Sequence, residues 1–240
     1  MSITTRTGLL AGLAAGAIAL TGCGSSGPSA SAGGSTEPGS SSAGKLGCAT
    51  GSLKAEGSTA QKNAMEQWIK DFQAACGGTT ITYNGTGSGA GVSNFIAKQD
   101  DFAGSDSALD PTKGEVAKAS AACGSPALNL PMVTGPIALA YKLNGVQDLT
   151  LTPQLITRIF LGKITTWNDP AIKALNANAS LPSTPITVFY RGDSSGTTQN
   201  FEKYLAANDP AGFTSKPDKD SSKAGFAGQG KTGSQGVQQA

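Results

Sequence analysis

Apolar residues recur along the chain at two spacings, and these predict its elements. Met65, Trp68, Ile69, Phe72 and Cys76 fall at i, i+3, i+4, i+7 and i+11, one face of an amphipathic helix. On either side, 52–56 and 79–83 read as strands, the second from its β-branched and aromatic residues. A glycine-rich loop over 85–91 leads into a helix carrying Val92, Phe95 and Ile96. Residues 101–104 predict a short strand, and Pro111 suits the first turn of a helix running to residue 122. Residues 136–141 predict a further strand, 153–161 a helix with Leu155, Ile156, Ile159 and Phe160 inward, and 186–190 a strand. A polar turn then opens a helix carrying Phe201, Tyr204 and Leu205. The repeated order of strand, turn and helix predicts an α/β fold with a largely parallel sheet.

The first residues do not fit that scheme. Arg6 precedes an apolar run from residue 9 to 20, which ends in Leu20-Thr21-Gly22-Cys23. The run has the length of a secretory signal and is short for a membrane-spanning helix. Its ending resembles the lipobox of bacterial lipoproteins, which implies a signal peptide over 1–22 and a lipidated Cys23 as the mature N-terminus. Residues 24–44 are Gly, Ser, Ala and Pro apart from Thr36 and Glu37, a composition that cannot bury enough apolar surface to fold. The expectation is a domain leashed to the outer face of the cell membrane.

Composition removes whole classes of function. With 18 basic and 16 acidic residues the net charge is +2, which lacks the basic excess of a nucleic-acid binder. No His occurs anywhere, so a Ser-His-Asp triad and a His-ligated zinc are excluded, and no acidic cluster resembles a two-metal site. The expectation is a protein that is not an enzyme and carries no cofactor or metal. With Cys23 assigned to lipid, Cys48, Cys76 and Cys123 remain, and export permits a disulfide. Cys76 and Cys123, each ending a predicted helix, are the expected pair; Cys48–Cys76 with Cys123 unpaired is the alternative.

Three turns share a design: Gly57-Ser58-Thr59-Ala60, the stretch Gly85-Thr86-Gly87-Ser88-Gly89-Ala90-Gly91, and Arg191-Gly192-Asp193-Ser194-Ser195-Gly196-Thr197. Each sets hydroxyls and small residues where a strand ends and a helix begins. The first N–H groups of a helix lack partners within it and carry partial positive charge, so such ends accept oxyanions. Arg191 adds a fork that suits tetrahedral oxygens, with Asp193 placed to hold it. Asp106, in Phe102-Ala103-Gly104-Ser105-Asp106, has a different use. A carboxylate repels an anion unless the anion brings a proton to share. Protonated phosphate does so at neutral pH and sulfate does not, so this residue discriminates between them.

These motifs, with Ile159-Phe160-Leu161-Gly162-Lys163-Ile164-Thr165-Thr166-Trp167-Asn168-Asp169 between them, resemble in order and spacing the periplasmic-type phosphate-binding proteins of bacterial phosphate ABC importers. The resemblance implies a two-lobed α/β fold with the ligand in the cleft between lobes, the first over 45–133 and the second over 134–240. It further implies that the second lobe is incomplete at the C-terminus, since the family returns to the first lobe. Thr59, Ala60, Ser88, Asp106, Arg191, Ser195, Gly196 and Thr197 are the implied phosphate contacts, with Asp193 orienting Arg191. The family often has an aromatic residue where this chain has Ala60, which is tolerable for a backbone donor. The implied partners are inorganic phosphate and the transmembrane subunits of a permease, with the membrane met through the lipid anchor alone and the protein monomeric. A binding protein for another oxyanion or a small phosphate ester is the alternative.

Overall fold

The computed structural model describes residues 47–240; the expected signal peptide, the lipidated Cys23 and the 24–44 tether lie outside the described residues. Strands and helices alternate except across the middle of the chain, where three helices follow one another. Strand β1 (Gly51–Gly57), helix α1 (Lys62–Ala75), β2 (Thr79–Gly85), α2 (Ser88–Ile96), β3 (Phe102–Gly104) and α3 (Glu115–Cys123) come first. Helices α4 (Pro153–Phe160) and α5 (Pro170–Leu175), strand β4 (Phe189–Arg191), α6 (Gly196–Asn208), β5 (Gln229–Lys231) and α7 (Gly233–Gln239) follow. Two parallel sheets result, one in the order β2-β1-β3 and the other pairing β4 with β5. This is a two-lobed α/β architecture in which the carboxyl ends of both sheets are turned toward one cleft.

The first sheet ends in a row of glycines. Gly57 is in register with Gly85 on β2 and with Gly104 on β3. Gly57 has φ +146°, and a Cβ there would run into the Gly104 backbone. Thr86 and Gly87 both donate their N–H groups to the Gly57 carbonyl, at 3.0 and 2.8 Å, while Ser58 N–H donates to the Gly104 carbonyl at 2.9 Å. Three turns are thereby fastened to one another before any side chain is counted.

Local chemistry explains three helix starts. Thr152, Asp169 and Ser195 each accept an N–H from the first turn of α4, α5 and α6, and Pro occupies the first position of α4 and α5. Inward residues of α4 then divide between two apolar clusters. Leu155 and Ile159 join Val146, Ile164, Ile172 and Leu181, whereas Ile156 joins Leu205, Phe213 and Ala224. The rings of Phe160, Phe201, Phe226 and Tyr190 extend the second cluster toward β4.

Four expectations are corrected. The stretch 85–91 is a loop only to Gly87, because α2 begins at Ser88. Its glycines serve close approach: a Cβ on Gly91 would lie 2.6 Å from the Glu56 carbonyl oxygen. Residues 136–141 form no strand, and Ile137 and Leu139 are exposed. A β-branched or apolar run becomes a strand only when a neighbour takes its backbone groups, and none among the described residues does. The amphipathic face of α1 is not sealed in a core. Met65, Trp68, Ile69 and Phe72 are half-buried along an open groove of about 1070 Å³ that Leu128 and Met132 also line.

The fourth correction concerns the disulfide. Cys48 bonds to Cys76, with Cα atoms 5.3 Å apart, and Cys123 is exposed and unpaired among the described residues. The parallel pairing of Gly51 with Thr79 brings the entries of β1 and β2 side by side, and Cys48 and Cys76 precede them closely. Cys123 instead ends α3.

Candidate functional site

Turns following all five strands converge on one cleft. In open α/β sheets that position, outside the carboxyl ends of parallel strands, is where ligands are held. The contacts run across it: Gly89 N–H donates to the Ser194 carbonyl at 3.1 Å, Thr197 Oγ1 to Asp106 Oδ2 at 2.9 Å, and Ser234 N–H to Thr59 Oγ1 at 3.0 Å. A Cβ on Gly196 would lie 2.8 Å from the backbone nitrogen of Ser107, so the α6 turn approaches the Asp106 loop as only glycine permits.

Asp106 is the hub. Its Oδ1 accepts the Ser58 hydroxyl, and its Oδ2 accepts those of Ser88, at 3.3 Å, and Thr197. Its own N–H donates to Ser88 Oγ at 3.2 Å, and its carbonyl accepts from Asn200 Nδ2 at 2.7 Å. Ser58 and Ser88 are buried, and Tyr83 donates its hydroxyl to the Ser58 carbonyl at 2.8 Å. Burial and the nearby Asp106 charge push the Tyr83 phenol well above its ordinary value, so it remains a donor.

Arg191 is buried at the end of β4 and bound along one edge by Asp193. Nε donates to Asp193 Oδ1 at 2.7 Å, and Nη2 donates to Oδ2. Burial opposes ionisation of Asp193, but the guanidinium and the Gly233 N–H hold its carboxyl below the usual range. Because the Nε–Nη2 edge is taken by Asp193, Nη1 is the part of the fork aimed into the cleft, 3.4 Å from Ser234 Oγ. Asp193 thus occupies the Nε–Nη2 edge of Arg191, and that edge is not open to a two-pronged grip on an anion.

The other expected residues are distributed as follows. Thr59 Oγ1 accepts from Ser234 N–H and lies 3.0 Å from Ser234 Oγ. Ala60 is exposed and turns its N–H onto Ser58 Oγ at 3.1 Å. Ser195 is buried and caps α6, so Gly196 and Thr197 begin that helix with N–H groups that have no partner within it. Three residues of the cleft were not on the expected set: Ser58, Asn200 and Ser234. Ser58 lies in the Gly57-Ser58-Thr59-Ala60 turn, where its hydroxyl is the available signal. Ser234 follows the short strand β5, in a glycine-rich stretch whose composition reads as loop.

Hydroxyls, backbone amides and one half-engaged guanidinium facing a carboxyl make a set of donors with a single strong acceptor. Such a set suits an oxyanion that carries a proton. Among the described residues no group of His, Cys, Asp and Glu is arranged to hold a metal ion.

A sequence model of the PBP superfamily domain matches residues 35–240. The chain is 48% identical over 193 residues to Phosphate-binding protein PstS2 of Mycobacterium bovis, covering 80% of this chain and 51% of that protein. It is 46% identical over 226 residues to Phosphate-binding protein PstS3 of the same species, covering 94% and 59%. The chain thus spans about half the length of the curated relatives it matches. In fold it is similar to a crystallised Clostridium perfringens protein assigned as a phosphate ABC transporter substrate-binding protein with bound phosphate. The TM-score is 0.54 at 23% identity, over 79% of this chain and 65% of that one. The order of strands and turns, the cleft at their carboxyl ends and the match along 35–240 agree: the chain belongs to the PBP superfamily.

Proposed function

We propose that this chain captures inorganic phosphate in the cleft and delivers it to the transmembrane subunits of an ABC permease. One observation carries the reading: three hydroxyls, from Ser58, Ser88 and Thr197, converge on the Asp106 carboxyl beside the Arg191–Asp193 pair. Phosphate seated there accepts hydrogen bonds from such hydroxyls and gives its own P–OH to the Asp106 carboxyl. Thr59, Gly196 and Thr197 add amide or hydroxyl donors, Ser195 its hydroxyl, and Arg191 its Nη1. Ala60 adds its N–H once that group leaves Ser58. The names of the mycobacterial relatives support phosphate as the ligand.

On the same reading residues 45–133 and 134–240 are the two lobes and Cys23 carries the lipid that keeps the protein at the outer face of the cell membrane. Closure of the lobes is a hinge motion driven by contacts that phosphate makes only when both sides meet. The protein binds and releases its ligand unchanged. Calorimetric titration of the chain with phosphate tests the reading, and saturable one-to-one heat is the expected result. A chromogenic phosphate ester incubated with the same sample releases no product. Tighter binding of molybdate or of a phosphate ester would transfer the assignment to that ligand.

A further inference from the structure

Next to Ser195, in the segment that accepts its N–H and in the turn facing that segment, lies a set of paired charges. Lys113 ends a single 3₁₀ turn (Pro111–Lys113) after the Asp106 loop, and Glu115 begins α3. Asp218 and Lys219 belong to the segment between α6 and β5. Lys113 Nζ is 2.7 Å from Asp218 Oδ1, and Lys219 Nζ is 2.9 and 3.1 Å from the two oxygens of Glu115. The second pair is nearly enclosed, with side-chain exposures of 5% for Lys219 and 16% for Glu115. Glu115 is held from its other side, because Oε2 accepts the Asp110 N–H at 2.7 Å.

The same segment is bonded to the binding turn. The Lys219 carbonyl accepts the Ser195 N–H at 2.9 Å, and the Asp218 N–H donates to Glu202 Oε2, on α6, at 2.8 Å. Residues 218–219 therefore join the 113–115 turn to the start and the middle of α6. On the cleft side the same two parts meet through Thr197 and Asn200 on Asp106. A solvated pair would add little, whereas an enclosed pair is costly to desolvate and is retained where it fixes one arrangement over others.

Resting on the phosphate reading above, we propose that Lys219 with Glu115, and Lys113 with Asp218, form a latch that holds the 195–197 turn against the Asp106 loop. None of the four touches phosphate. They are positioning residues, and the phosphate affinity of the cleft depends on them.

The test is calorimetric phosphate titration of the full chain and of its Lys219→Met, Glu115→Gln, double Lys219→Met/Glu115→Gln and Lys219→Arg variants, each with a thermal melt. Lys219→Met weakens phosphate binding by roughly tenfold or more, and the double variant weakens it by no more than the larger single loss, because the pair acts as a unit. Lys219→Arg restores affinity to within roughly threefold of the unaltered chain, a rescue expected of a charge that positions a partner. If Lys219→Met does not fold, Lys113→Met interrupts the more exposed pair and is expected to weaken binding by roughly threefold. Unchanged affinity in Lys219→Met, or in Lys113→Met where that variant stands in, overturns the latch, as does a double variant whose loss is the product of the singles. Absence of phosphate binding by the unaltered chain overturns the functional reading itself, and the latch with it.

Discussion

Thr197 reaches across the cleft from the first turn of α6 and donates its hydroxyl to Asp106 at 2.9 Å. The contact joins a residue expected to donate a hydrogen bond to phosphate with the residue expected to accept one from it. Thr197 is one of three hydroxyls, with those of Ser58 and Ser88, that converge on the Asp106 carboxyl. Replacing the hydroxyl while keeping the shape isolates this contact. Thr197→Val is expected to weaken phosphate binding roughly tenfold, equivalent to about 1.4 kcal/mol for one hydrogen bond. Calorimetry checks the affinity, and an unchanged melting temperature shows that the fold is intact.

Asp193 governs how much of Arg191 phosphate can use. With the Nε–Nη2 edge bound, Nη1 has one direction. Asp193→Asn keeps the shape but leaves Nη2 with an amide in place of a charged acceptor. Phosphate affinity is expected to fall by roughly tenfold to a hundredfold, the range of a lost charge-assisted hydrogen bond. The charge balance gives a second expectation, since one guanidinium faces two carboxyl groups. Attraction then comes from short-range donors and hardly from net charge. Raising salt from about 0.1 M to about 1 M shortens the Debye length from about 10 to about 3 Å and should change the affinity by less than roughly threefold. Titration at both salt concentrations checks this.

Most of this site was legible in the sequence, for a physical reason. Hydroxyls and glycines placed between a strand and a helix advertise unpaired N–H groups, and that signal is local; it found Thr59, Ser88, Ser195, Gly196 and Thr197. Asp193 was legible because it lies two residues from the group it binds. Ser234 was not, since its contact with Thr59 depends on β5 pairing beside β4, a relationship between distant segments. The same limit explains the disulfide, which follows from the register of β1 and β2, and the absent strand at 136–141, whose residues carried the apolar pattern without a partner.

Ser234 accordingly has a use that its composition hides. Its hydroxyl lies between Thr59 Oγ1 and Arg191 Nη1, two of the expected phosphate donors. Ser234→Ala removes this bridge and is expected to weaken phosphate binding by roughly fivefold to tenfold, the equivalent of about 1 kcal/mol. Equal affinity in variant and unaltered chain would show that Ser234 stands outside the ligand's reach.

Glu202 makes stability depend on pH. It is fully buried on α6, and burial, with repulsion from Asp218 and Asp220, raises its carboxyl to about 7 from an ordinary 4.5, against the Asp218 N–H that favours the charged form. The folded protein therefore holds a proton more tightly than the unfolded chain. The corresponding stability is fully present below about 4.5 and is lost as pH rises through about 7. Between these values the contribution changes by at most about 1.4 kcal/mol per pH unit for one proton. Glu202→Gln, which keeps the acceptor without the charge, is expected to flatten the decline from about pH 5 to about pH 7 in chemical denaturation; an equal slope in the variant would assign the decline to other groups.

The disulfide offers a simple chemical check. With Cys48 and Cys76 joined and Cys123 exposed, a thiol reagent applied to the folded chain without reductant should modify Cys123 and spare Cys48 and Cys76. Peptide mapping reads the result. Prior reduction should make Cys48 and Cys76 reactive as well and lower the melting temperature, in line with the roughly 2–4 kcal/mol that a disulfide of this kind contributes.

The central claim is that Asp106 admits an anion able to share a proton and rejects one that has none. Parallel calorimetric titrations with phosphate and sulfate, on the unaltered chain and on Asp106→Asn, address it directly. The account predicts phosphate binding at least roughly a hundredfold tighter than sulfate in the unaltered chain, with the gap collapsing in the variant because an amide can donate to sulfate. Equal affinity of the unaltered chain for the two anions would contradict it.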